Sequence, residues 1–241
     1  RLDRGITNNS ISNNIGNSFS VNATAASTIA PSSVTLGTVS NNQLLANSVG
    51  TGGFMLNGVN SVINASFTSN TVIGNPVGNP TAGPGFLLTS SGGSFDVNVG
   101  GPNVADGNLF SQLAGAGIAF RFSSGSGALS VQNNQITAVS GAAAAIGSGQ
   151  GMILGLSSDA ILTRSEISNN IFGDFNNAQL GLSGSGLTIF TNDDSSIQDL
   201  LIAGNMIGNT GATAPVVSLP PMATTQPNFV DIAAIRIDVG G

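Results

Sequence analysis

A turn motif of the form apolar-x-x-Asn recurs along the whole chain, and it constrains the fold more than any other feature. The copies are Ile6-Thr-Asn-Asn9, Val39-Ser-Asn-Asn42, Phe67-Thr-Ser-Asn70, a degenerate Val99-Gly-Gly-Pro-Asn103, Val131-Gln-Asn-Asn134, Ile167-Ser-Asn-Asn170 and Ile202-Ala-Gly-Asn205. Successive asparagines lie 33, 28, 33, 31, 36 and 35 residues apart. A second register, a glycine opening a short apolar run, keeps the same period: Gly53, Gly85, Gly117, Gly151 and Gly186 are 32, 32, 34 and 35 residues apart. Low complexity alone does not make two chemically different registers agree, so the period is structural.

The apolar residues are mainly Ile, Val, Leu, Ala and Phe in short runs flanked by Gly, Asn and Ser, which favours strands and turns over helices. A unit of this length with two or three short strands cannot bury its own apolar face. Stacked units can, because each strand then pairs in parallel with its equivalent above and below. The expected unit is therefore a β-helix coil. Asn suits its recurring turn because it tolerates left-handed backbone angles and its amide reaches the equivalent Asn one strand spacing away, about 4.8 Å. Asn9, Asn42, Asn70, Asn103, Asn134, Asn170 and Asn205 are the expected ladder, one per coil.

Composition narrows the function classes. All five basic residues are arginines, and eleven carboxylates leave a net charge of −6, so the chain lacks the basic surface that nucleic acid requires. With neither Cys nor His, disulfides, thiolate metal sites and the usual zinc and copper ligands are excluded. No apolar stretch reads as a membrane span: residues 138–156 are interrupted by Ser140, Ser148 and Gln150 and are rich in glycine. Carbohydrate-active proteins commonly stack sugars on Trp or Tyr, and this chain has neither.

The Ser-x-Asn-Asn and Gly-Asn turns, such as Ile11-Ser-Asn-Asn14 and Ile207-Gly-Asn209, resemble those of the pectin-lyase-like right-handed parallel β-helix superfamily. The resemblance covers the whole chain and carries fold, not activity. It implies an all-β, right-handed parallel β-helix solenoid of about seven coils, each of roughly 30–35 residues. Residues 1–241 then form a single β-helix segment of a larger protein or filament. Two stretches break the period and are expected to protrude as side loops: residues 22–33, and residues 210–228 with Pro215, Pro220, Pro221 and Pro227. The superfamily includes polysaccharide lyases and hydrolases, phage tailspikes and passenger domains of bacterial autotransporters.

Few residues offer chemistry. Counting from Gly151 and Gly186 puts Asp159 and Asp194 at the same offset with Asp193 beside them, so the three form an expected acidic cluster on neighbouring coils. Stacked carboxylates resemble a glycosidase pair in spacing and also supply oxygen ligands for Ca²⁺; a solvated turn without a catalytic role is the alternative preferred here. The same alignment sets Arg164 over Asp199 as an expected cross-coil ion pair. No metal, cofactor or catalytic set is otherwise indicated. Phe54 and Phe86 occupy equivalent strand positions and are expected to stack in the core.

These features describe a durable spacer better than a pocketed enzyme. The expected function is non-enzymatic: a structural or adhesive rod segment or filament subunit of an extracellular bacterial surface protein. The alternative is a polysaccharide lyase, hydrolase or tailspike-type carbohydrate-binding module. The expected partners are copies of itself head to tail or further coils of the same chain, with polysaccharide as the alternative ligand. Residues 1–9 read as the second half of a coil, and Ile235-Arg-Ile237 as the opening of another.

Overall fold

The computed structural model describes residues 5–12, 18–26, 31–47, 53–74, 83–139, 149–173, 185–208 and 235–239. They form a parallel β-solenoid whose strands stack in a twelve-stranded and a seven-stranded sheet. Apart from the single-turn 3-10 helix Val104–Asp106, the described residues contain no helix, and none long and apolar enough to cross a membrane.

Each turn follows the same path. A first strand runs to a corner, a second continues beyond it, and a third follows another corner before the chain steps to the next turn. Phe54–Thr68 makes the first two strands and Thr71–Gly74 the third; Phe86–Gly100 and Leu109–Leu113, then Ile118–Gln132 and Gln135–Val139, repeat the pattern. Pairing is parallel and in register: Phe54 faces Phe86, Phe86 faces Ile118, Ile118 faces Met152, and Met152 faces Leu187. About five turns thus separate Phe19, which pairs Phe54, from Leu187, with partial turns at either end; the expected seven is slightly high.

Alternation along the strands sorts the side chains. Phe54, Leu56, Phe86, Leu88, Ile118, Phe120, Met152 and Leu154 point inward and are at most 1% exposed. The rings form a continuous column, Phe19 to Phe54, Phe54 to Phe67, Phe67 to Phe86 and Phe86 to Phe120, with centroids 4.9–5.7 Å apart. Such tilted and edge-to-face contacts add to the area each ring buries.

The corners need backbone that L-residues rarely adopt. At the first corner Asn60, Gly92, Gly93, Gly125, Ser158 and Asp193 have positive φ; at the second Asn8, Asn41, Ser69, Gly100, Asn133, Asn169 and Gly204 do. The glycine register has a different cause. A Cβ on Gly53 would lie 2.5 Å from the Gly85 carbonyl oxygen, and one on Gly117 would lie 2.8 Å from that of Gly151 and 2.3 Å from Ile136 Cγ2. Glycine is required there because one turn passes directly against the backbone of the next.

The insertions differ from expectation. Residues 22–24 belong to the strand Phe19–Thr24 and residues 32–33 to Ser32–Ser40, so both ends of the first expected loop are strand; residues 27–30 lie outside the described residues. The expected loop at 210–228 lies entirely outside them. An unforeseen insertion occupies residues 101–107. It holds the 3-10 helix and carries Val104, 84% exposed, out from the second corner.

Replacing Gly117→Ala is expected to destabilise the chain by about 1–3 kcal/mol, because a backbone oxygen and the core residue Ile136 must both give way. Urea unfolding followed by circular dichroism measures this as a lower midpoint with an unchanged slope.

Candidate functional site

Two places combine polar chemistry with defined geometry: the asparagine ladder inside the second corner and a groove outside the first. Along the ladder, each Asn backbone N–H donates to the Oδ1 of the next Asn at 2.9–3.1 Å. Its Nδ2 donates to the same oxygen at 2.9–3.0 Å. The second amide hydrogen points back to a main-chain carbonyl of the preceding turn, as from Asn42 to Ile6 O at 2.9 Å and from Asn170 to Val131 O at 2.8 Å. The main-chain carbonyl of each Asn accepts the N–H that opens the next turn's third strand, at 2.8–2.9 Å.

An internal rung therefore uses both amide hydrogens and receives two donors on one oxygen. That saturation lets Asn70, Asn108, Asn134 and Asn170 sit at 0–2% exposure without cost from orphaned polar atoms. Six of the expected rungs, Asn9, Asn42, Asn70, Asn134, Asn170 and Asn205, are in place.

Asn103 is not. The rung between Asn70 and Asn134 is Asn108, whose amide donates to Asn134 Oδ1 at 2.9 Å. Asn103 is exposed on the 101–107 insertion, where its N–H and Nδ2 donate to Asp106 Oδ2 at 3.1 and 2.9 Å. The insertion lies inside the motif, which draws only on the residues preceding each Asn. Those following carry the signal: true rungs have an inward apolar residue two positions on, as with Leu44, Val72, Phe110, Ile136 and Phe172. At every rung but Asn108 the left-handed backbone belongs to the residue before it, as at Asn41, Ser69, Asn133 and Asn169, so two neighbours divide the roles expected of one; Gly107, before Asn108, is extended.

The acidic cluster lies in an exposed turn. The strand register places Asp159 opposite Asp194, as counted from the glycines, and Ser158 N–H donates to Asp193 Oδ2 at 3.2 Å. Among the described residues, no group of three or more acidic side chains is placed to hold a metal ion. Arg164 and Asp199 do not form the expected ion pair. Both are exposed at the same register position, and the bond made there is from Ser165 N–H to the Asp199 carbonyl at 2.8 Å. An exposed pair has little Coulomb energy to offset the side-chain entropy of holding two chains together.

The groove, about 350 Å³, runs along the outside of the first corner over several turns. Its floor is an outward row set by the strand register: Asn57, Thr89, Arg121, Gly155 and Phe190. Thr89 Oγ1 donates to Asn57 Oδ1 at 2.6 Å, and Arg121 stands exposed in the middle. The Phe190 ring lies against the bare Cα of Gly155, where a Cβ would come within 2.3 Å of its Cζ. It packs with Met55 on a second small apolar cluster of Leu87, Ala116, Ala119 and Ile153. Phe190 is thus an exception to the core role expected of phenylalanine. Alternation was the signal: Leu187 and Ile189 point inward, so Phe190 points out, as Arg121 does after Phe120.

No protein-family model matches this chain, and no curated protein or solved structure is detectably similar to it.

The ladder predicts unequal penalties. Asn134→Ala leaves Val99 O and two Asn108 donors without these partners, takes one of two donors from Asn170 Oδ1, and is expected to cost at least about 3 kcal/mol. Asn103→Ala, at an exposed turn, is expected to cost no more than about 1 kcal/mol. Equilibrium unfolding of the two variants makes the comparison.

Proposed function

We propose that this chain is a structural, adhesive rod segment of an extracellular bacterial surface assembly, one that lengthens by stacking coil on coil. The observation that carries this reading is the uncovered core at the last described strand. Ile235 and Ile237 hold the inward register positions of Leu187 and Ile189, yet they are 44% and 53% exposed against 0% and 1%. An apolar strand edge in that state is a template for another coil, from further turns of the same chain or from another copy. The continuous phenylalanine column and saturated ladder supply the stiffness a spacer needs. The turns resembling those of surface-displayed β-helices, together with the low charge and absence of lysine, support an extracellular setting.

A second reading, carbohydrate binding, is favoured by the outer groove. It is long, polar along Asn57 and Thr89, and offers one cation and one half-buried ring, Arg121 and Phe190. Those groups suit an acidic sugar, whose carboxylate would meet the guanidinium while a ring face lies on the phenyl group.

Light scattering and small-angle X-ray scattering across micromolar concentrations test the first reading. Elongated species that grow with concentration are expected, and a compact monomer throughout would overturn it. For the second, binding of acidic oligosaccharides is expected to fall at least about tenfold in Arg121→Ala, corresponding to loss of a charge-assisted contact.

A further inference from the structure

The ladder has a direction, and its two ends are unlike. At the first rung, no described residue donates to Asn9 Oδ1, and the amide bonds Thr7 O of its own turn at 3.2 Å. At the last rung, Asn205 receives Asn170 on Oδ1 and sends Nδ2 to Ile167 O at 2.7 Å. Its backbone N–H and second amide hydrogen meet no acceptor among the described residues. One end thus offers an acceptor and the other two donors, the same set that closes every internal step.

The strands are complementary in the same sense. At one end, Ile235–Val239 pairs with Leu187–Thr191 as the first strand of a turn whose second and third strands are not among the described residues. At the other, Ile6–Thr7 and Ser10–Ser12 are the end of a second strand and a third strand, without a described first strand at their level. Among the described residues each end is a part-turn, and the two parts do not overlap.

Deepening the rod reading on which it rests, we infer that two copies of this chain join head to tail by building one shared turn, with Ile235–Val239 from one copy and residues 6–12 from the next. The register follows from the internal repeats. Ile6 and Ile11 of the second copy fall against Ile202 and Ile207 of the first, and Phe19 and Val21 against Ile235 and Ile237. All eight are inward positions that are only partly covered or exposed within a single copy. Asn205 N–H and Nδ2 donate to Asn9 Oδ1 of the second copy, and Asn9 Nδ2 donates to Ile202 O. The contact is heterologous and joins unlike surfaces, so it propagates.

The chain contains no cysteine, so an introduced pair reports cleanly. Thr7 and Ala203 are both exposed and become neighbours across the shared turn, one strand spacing apart and within disulfide reach. The variant carrying Thr7→Cys and Ala203→Cys, oxidised at micromolar concentration, is expected to give covalent dimers, trimers and longer chains that a reductant dissolves. Neither single variant is expected to pass beyond dimers. Asn205→Asp, which removes the amide donor at the joint, is expected to weaken association by about tenfold while leaving the circular dichroism spectrum unchanged. If elongated assemblies form but the double variant does not cross-link, the shared turn is wrong and the rod reading stands. If the unmodified chain remains a compact monomer, both fall.

Discussion

The amide-to-amide hydrogen bond between asparagines of successive turns is the interaction on which the rest of the solenoid depends. Main-chain pairing alone leaves the corner between the second and third strands with a buried polar gap at every level. The Asn side chain fills it, because it alone combines two donors and an acceptor on a stem short enough to stay inside the corner. With the rungs saturated, a polar column runs beside the phenylalanine column at no more than 2% exposure from Asn42 to Asn170. The strands on either side then have one vertical alignment available, and the phenyl rings meet edge on because that alignment sets their heights.

Glycine and asparagine hold the turns together in opposite ways. Gly53, Gly85 and Gly117, each at the entry to a first strand, are sites of subtraction, where a side chain would collide with the carbonyl of the neighbouring turn. The asparagines are sites of addition, where a side chain completes bonds the backbone cannot make. Both act between turns, so both repeat with the height of a turn. This shared cause explains why two chemically unrelated registers carry one period.

That period made the parallel strands, the stacking and six of seven rungs legible in the sequence. The Asn103 assignment failed because a motif read only on its N-terminal side cannot register an insertion inside the motif itself; the downstream pattern at Leu109 and Phe110 marks the true rung at Asn108. The register of Asp159 with Asp194 was also readable, since offset from a fixed glycine survives where no residue intervenes. Side-chain pairing was not. Arg164 and Asp199 share a level, but sequence does not contain the rotamers that decide whether two exposed groups meet. The groove is not legible along the chain because its members come from separate turns, and only the alternation of Phe120 with Arg121 and of Ile189 with Phe190 marks them as outward.

The 101–107 insertion has a broader consequence. It lengthens one ladder interval to 38 residues; the next is only 26, because four residues separate Leu113 from Ile118 where eleven separate Gly74 from Phe86, and the glycine-led strands on either side stay in register. A turn of this protein is therefore a unit of height and not of chain length. Residues added at a corner leave the stack sideways and do not pass their displacement to the next storey. Each corner can be decorated, lengthened or trimmed on its own, and the exterior is free to diversify while the shaft behind it keeps a single pitch.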